Sequence, residues 1–165
     1  MNKYLLLILI TYCSCSETTP RYVLPANAIE LITNNNSKTW KLAKRTNNGD
    51  RMNMGDCFLS YRQTYNSDMT VSDNNGEHHN CGDSLDATWE LIKDKEGHNF
   101  IKMTSPQIPL LLNIKEDYKQ FKILELEENR MKLAFYHKQF SDRTTTIVDY
   151  LVPDHIVVHD RDFHW

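Results

Sequence analysis

From Lys38 onward the chain alternates apolar and polar positions with a period of two, which predicts strands with one face turned to a core. Trp40 and Leu42 fall on one side of the first run and Lys41 on the other. Thr46–Asp50 reads as a turn. Next, Leu59, Tyr61, Gln63 and Tyr65 share a face opposite Ser60, Arg62 and Thr64. Asn66-Ser67-Asp68 turns tightly, and Met69-Thr70-Val71 returns antiparallel. Ser72–Ser84 is a polar loop, followed by a run with Trp89 and Leu91 in register. Asp94–Gly97 turns into a short strand, Phe100–Met103, and Leu110, Leu112 and Ile114 alternate after Pro109. Tyr118–Glu127 slips phase at Ile123-Leu124, as a β-bulge would. Met131–Tyr136 and Thr144–Val152 complete about eight or nine short strands. The predicted class is all-β, a barrel or a sandwich; the short turns favour a small antiparallel up-and-down barrel of about eight strands, which leaves no open edge.

Little helix is expected. Asn27–Thr33 is the one candidate, with Asn27 as its cap, Ile29 and Ile32 on one face, and Asn34-Asn35-Asn36-Ser37 ending it. Ser16–Pro25, with two prolines, reads as a tether. Met1–Lys3 carries one positive charge, and Tyr4–Tyr12 is an uncharged apolar run too short to span a bilayer. That combination fits an export signal. The C-S-C-S that follows resembles a bacterial lipoprotein signal, in which the cysteine is lipidated and becomes the new N-terminus. Cys15, preceded by the small Ser14, is favoured over Cys13, preceded by Tyr12; an ordinary signal peptide is the other reading. The expected organisation is residues 1–14 as signal, 15–37 as tether and short helix, 38–152 as barrel and 153–165 as tail.

Composition narrows the function classes. A formal net charge of −3 gives no broad basic footprint, so nucleic acid is not an expected partner. With Cys15 acylated, Cys57 and Cys81 remain, and an oxidising compartment predicts a disulfide between them. A metal or redox pair is the rival, but the spacing matches neither C-x-x-C nor zinc-finger patterns.

The segments K-T-W-K-L, D-C with N-S-D-M-T-V, a second cysteine, A-T-W-E-L-I-K and K-I-L-E-L-E-E-N-R-M-K-L-A-F-Y are together similar to the lipocalin-like domain lipoproteins of Bacteroidota. The resemblance covers roughly residues 38–152. It implies an eight-stranded barrel or close relative on a lipid anchor in the cell envelope, at the outer membrane, with the face left open. It implies no catalytic activity.

Candidate chemistry is sparse. No nucleophile elbow or glycine-rich phosphate loop is present, and no catalytic residue, cofactor or metal is expected. His78-His79 beside Cys81 would point to opposite sides of a strand. His155 and His159 would share a helical face, but Ile156-Val157-Val158 favours a strand, where they stand about 13 Å apart. That tail reads as ragged or as a strand on the barrel exterior. Trp40, Tyr61, Tyr65, Trp89 and Phe135 fall on apolar phases, and Gln63 and His137 on inward ones. They either fill a small barrel or line a shallow pocket at one mouth, the other being closed by the Asn27–Thr33 helix. Two functions follow: a small apolar or amphipathic ligand held by those residues, or a solid barrel that binds an envelope protein through Ser72–Ser84 or Phe163–Trp165.

Overall fold

The computed structural model describes residues 21–138 and 143–162. Helix α1 (Ala28–Thr33) precedes β1 (Ser37–Asn47) and the two-residue β2 (Asp50–Arg51). Then come α2 (Asp56–Ser60), β3 (Arg62–Asn66), β4 (Thr70–Asp73), β5 (Asp86–Lys93) and β6 (Asn99–Thr104). The chain continues with α3 (Ile108–Leu112), β7 (Tyr118–Glu127), β8 (Arg130–Lys138) and β9 (Thr144–Pro153). All pairings are antiparallel, in the order β2-β1-β3-β4-β5-β6-β7-β8-β9, and β1 also pairs with β9. That last pairing closes an eight-stranded, up-and-down barrel, to which β2 adds a short flap. The predicted architecture is the observed one.

The long β1 makes closure possible. Ser37–Lys41 pairs with β3, while Trp40–Asn47 pairs with β9. The register shifts between Leu42 and Lys44. A bulge there turns Leu42 and Arg45 inward although they are three residues apart, and sends Lys44 outward against the Tyr150 ring, 4.2 Å from its centroid. The second shift lies between Ile123 and Glu125 on β7, where the sequence predicts it. It lets both Ile123 and Leu126 reach the core, each 2% exposed.

One end of the barrel is plugged by α1. Ile32 is fully buried, and the Trp40 indole Nε1 donates to the Ile32 carbonyl at 2.9 Å, tying the plug to β1. Asn34, in the left-handed region at φ 53°, stops the helix, a conformation asparagine tolerates. Asn27 stands at the N-cap position but makes no side-chain cap bond, contrary to expectation. The expected tether is docked from Tyr22 onward: its hydroxyl donates to the Leu126 carbonyl at 3.0 Å and accepts from the Leu126 N–H at 2.9 Å. The opposite end is covered by α2, α3 and the β4–β5 loop, with Met54 and Ile108 fully buried beneath them.

Three local expectations are corrected. Leu59 and Tyr61 do not continue a strand, because α2 occupies Asp56–Ser60 and only Gln63 and Tyr65 lie in β3. Five helical residues make about 1.4 turns, too short a run for the helical period to stand out from the apparent alternation. Leu110 and Leu112 lie in α3, not in a strand; Pro109 sits in its first turn, where its fixed φ suits a helix, and Asn113 ends it at φ 50°. The tail to residue 162 is neither ragged nor a strand but a run of turns. Asp154 ion-pairs with Arg62 at 2.5 Å, and the Arg161 guanidinium donates to the carbonyls of Leu42 and Phe58. Phe163–Trp165 and Cys15 lie outside the described residues.

Candidate functional site

The inward aromatics fill the barrel. Trp40 and Tyr65 are fully buried and Trp89 is 2% exposed, with the Tyr65 and Trp89 rings edge-to-face at 5.4 Å. Leu42, Ile101, Met103, Leu126, Met131 and Leu133 pack around them. Gln63 is a satisfied core residue. Its Oε1 accepts the Tyr65 hydroxyl at 3.0 Å, and its Nε2 lies 3.7 Å from the Met103 sulfur. Two shallow concavities, of about 500 and 530 Å³, open outward instead, one along Thr70, Ser72, Asp86, Thr88 and Thr104, the other beside the β1–β2 hairpin.

At the α1 end the inward phase of β6 carries the buried Asn99, whose Nδ2 donates to the Tyr22 carbonyl at 3.3 Å; the charged groups that enter the barrel lie toward the other end. Arg45 pairs with Asp149 through two bonds, Nε–Oδ1 at 2.5 Å and Nη2–Oδ2 at 2.7 Å. The guanidinium stacks on Phe58 at 4.7 Å and on Phe135 at 5.7 Å. Burial works against its charge, but the bonds to Asp149 outweigh it and hold the Arg45 pKa above its ordinary value. Tyr61, partly buried, has a phenol pushed well up by burial and by the Asp73 and Asp149 carboxylates. Asp73 itself is raised by burial, opposed by N–H bonds from Asn75 and Leu85 and by the Tyr61 hydroxyl.

Phe135 and Phe121 meet edge-to-face at 5.2 Å, half-buried, at the rim. The Lys119 ammonium sits 5.3 Å from the Phe135 centroid and donates to the Tyr136 carbonyl at 3.0 Å. Burial lowers its pKa. His137 follows the inward phase past Phe135, but the strand has by then left the core, so the imidazole is exposed and lines no enclosed pocket. Sequence reading missed Arg45, Asp149 and Lys119. The Ala43 bulge hides Arg45, since uninterrupted alternation from Trp40 and Leu42 would turn Lys44 inward. Asp149 and Lys119 each sit on the inward phase of a strand, a signal that was there to use.

Above this end lies the β4–β5 loop, stapled to α2 by the Cys57–Cys81 disulfide, Cα–Cα 5.3 Å. Asn74 organises it: its Oδ1 accepts the Arg62 N–H at 2.7 Å, and its Nδ2 donates to the Ser60 carbonyl at 3.1 Å and reaches His78 Nε2 at 3.0 Å. His78 is thereby engaged, and its neighbour His79 is exposed. At the α1 end, Asp94, Glu96 and His98 place ligand-type atoms within 4.8 Å of one another on the β5–β6 turn. Asp94 accepts the His98 N–H at 2.7 Å, and its other oxygen lies 2.9 Å from His98 Nδ1, so the carboxylate already serves the turn. No described helix is long and apolar enough to cross a membrane.

The sequence model of the lipocalin-like domain matches residues 37–133. Among solved structures, the chain is similar to a lipocalin-like protein from Bacteroides uniformis, at 12% identity over 72% of this chain and 97% of that one, with a TM-score of 0.39. Curated protein sequences provide no match.

Proposed function

The chain belongs to the lipocalin-like domain family, generally one of binding rather than catalysis, and from that premise we propose a non-catalytic binding module of the cell envelope. It is tethered by lipid at Cys15 and engages an envelope protein through the stapled end of a solid barrel. The carrying observation is the packed interior: Trp40, Tyr65, Met54 and Ile108 are each fully buried, leaving the outside as the binding surface. The disulfide and the Asn74 bonds support the choice of end, because a pre-ordered loop loses little conformational entropy on binding. Export signal and lipid anchor rest on the pattern of residues 1–16. Crosslinking in envelopes, comparing the parent with a variant replacing His79-Asn80 and Gly82-Asp83 by serine, tests the reading. A partner captured by the parent and lost by the variant supports it; equal capture rejects it.

A second reading is favoured by the half-buried rim. Phe121, Phe135 and Lys119 offer an apolar ledge beside a desolvated cation, which suits the head of an anionic amphiphile. A fluorescent fatty acid that binds the parent and not Phe135→Ala would support it. Binding unaffected by that change would exclude the ledge.

A further inference from the structure

The outer wall formed by β7, β8, β9 and β1 has an uneven charge balance. Lys44 and Lys132 sit over one ring, their ammonium groups 4.2 and 4.8 Å from the Tyr150 centroid. Both residues are register partners of Tyr150, so the three side chains form one row across three strands. In the next row Lys122 faces Ala134, which faces Val148. Beyond it Tyr136 projects outward, 72% exposed. The neighbouring cations have acidic partners: Lys41 has Asp154 at 3.7 Å, a carboxylate it shares with Arg62, Lys102 has Glu90 at 3.0 Å and Arg130 has Glu125 at 3.0 Å. Glu125 also stands opposite Lys132 in register, but its carboxylate is engaged by Arg130. Among the described residues, Lys44, Lys122 and Lys132 have no acidic partner within ion-pair distance. Arg130 also pairs with Glu127 at 2.9 Å, so two carboxylates share one guanidinium there. A chain of net charge −3 still gathers three lysines without an ion pair, and a net positive charge, on one wall.

We propose that this wall is a membrane-facing surface that lays the barrel against anionic lipid headgroups. The reading is independent of the stapled end. Three charges spread over four strands, about 14 Å of sheet, are too dispersed for one small anion but match a surface that offers negative charge everywhere. Between them the wall carries Ala134, Val148, Tyr150 and Tyr136, beside the Glu125 carboxylate that Arg130 holds, and tyrosine favours the headgroup level of a bilayer. An acidic protein would need its carboxylates at matching positions. A bilayer needs no register. Each lysine near such a surface strengthens association about fivefold, so the three together give about a hundredfold. An anchor at Cys15, six residues before Arg21, would keep the barrel as a whole near a membrane; Arg21 itself lies against Gly97 in the β5–β6 turn, so the lysines and not the tether choose the face.

The test uses the full chain with Tyr136→Trp, bound through its N-terminal segment to vesicles carrying brominated lipid. Its signal is corrected for the native tryptophans with the parent chain. One set of vesicles is phosphatidylcholine alone; the other contains about 30% phosphatidylglycerol. Quenching is expected to be at least about threefold stronger on the anionic vesicles, and to return to the neutral value in 1 M salt, where screening acts within about 3 Å. Lys44→Glu/Lys122→Glu/Lys132→Glu should abolish the difference with an unchanged unfolding midpoint, while the same reversal at the exposed Lys93, Lys95 and Lys115 should keep it. Equal quenching on both vesicles, or quenching untouched by the wall variant, overturns the proposal. So does a wall variant that still quenches but loses capture of an acidic envelope protein, which would make the wall a protein interface.

Discussion

Arg45 and Asp149 face each other across β1 and β9, with side chains only 18% and 11% exposed. A pair so enclosed costs much to break and little to replace as a whole, because removing one partner strands the other charge. Asp149→Asn is therefore expected to lose about 3 kcal/mol in urea unfolding, while Arg45→Met/Asp149→Leu recovers most of it. Tyr61 and Tyr65 both have phenols raised by burial. The unfolded chain releases these protons near pH 10, and the folded chain retains them. Their contribution is thus intact below about pH 10 and falls as the pH rises above it. An unfolding series from neutral to alkaline pH should show this decline, shallower in Tyr61→Phe. At this scale the sequence was half legible. Trp40, Tyr65 and Trp89 announce themselves by size and phase, whereas Arg45 faces inward only because a bulge at Ala43 shifts the phase.

Among the elements, the strands were easier to read than the short helices. The barrel strands run from four to eleven residues and alternate except at the two bulges, while α2 and α3 have five each, too few to display a helical period. Their signals were punctuation rather than pattern: Gly55 before α2, Pro109 and Asn113 around α3. The disulfide restrains α2 against the β4–β5 loop across a sequence separation of 24. On the chain-entropy account, Cys57→Ser/Cys81→Ser should cost about 3.5 kcal/mol, read as a lower urea midpoint. Far-ultraviolet circular dichroism should retain the barrel signal, since the strand ladder does not pass through the staple. The α1 plug gives a second expectation. Ile32→Ala removes a fully buried side chain between the helix and the core and should cost about 3 kcal/mol.

For the whole molecule, closure follows from one long strand, β1, shared between β3 and β9, and solidity follows from what fills the barrel. The barrel was legible because hairpins at short spacing leave few alternatives to an up-and-down sheet. Filled core and shallow pocket could not be separated from sequence. Met54 and Ile108 decide between them, and both come from connecting segments whose direction no strand periodicity encodes. The packed interior is the claim on which the functional account turns, and an apolar probe tests it most directly. A fluorescent fatty acid titrated into the oxidised protein at micromolar concentration should draw no energy transfer from the buried Trp40 and Trp89 beyond what rim contact at Phe135 allows, and Phe135→Ala should remove even that. Stoichiometric uptake that quenches both indoles and survives Phe135→Ala would contradict it, because only an open calyx could place the probe beside them.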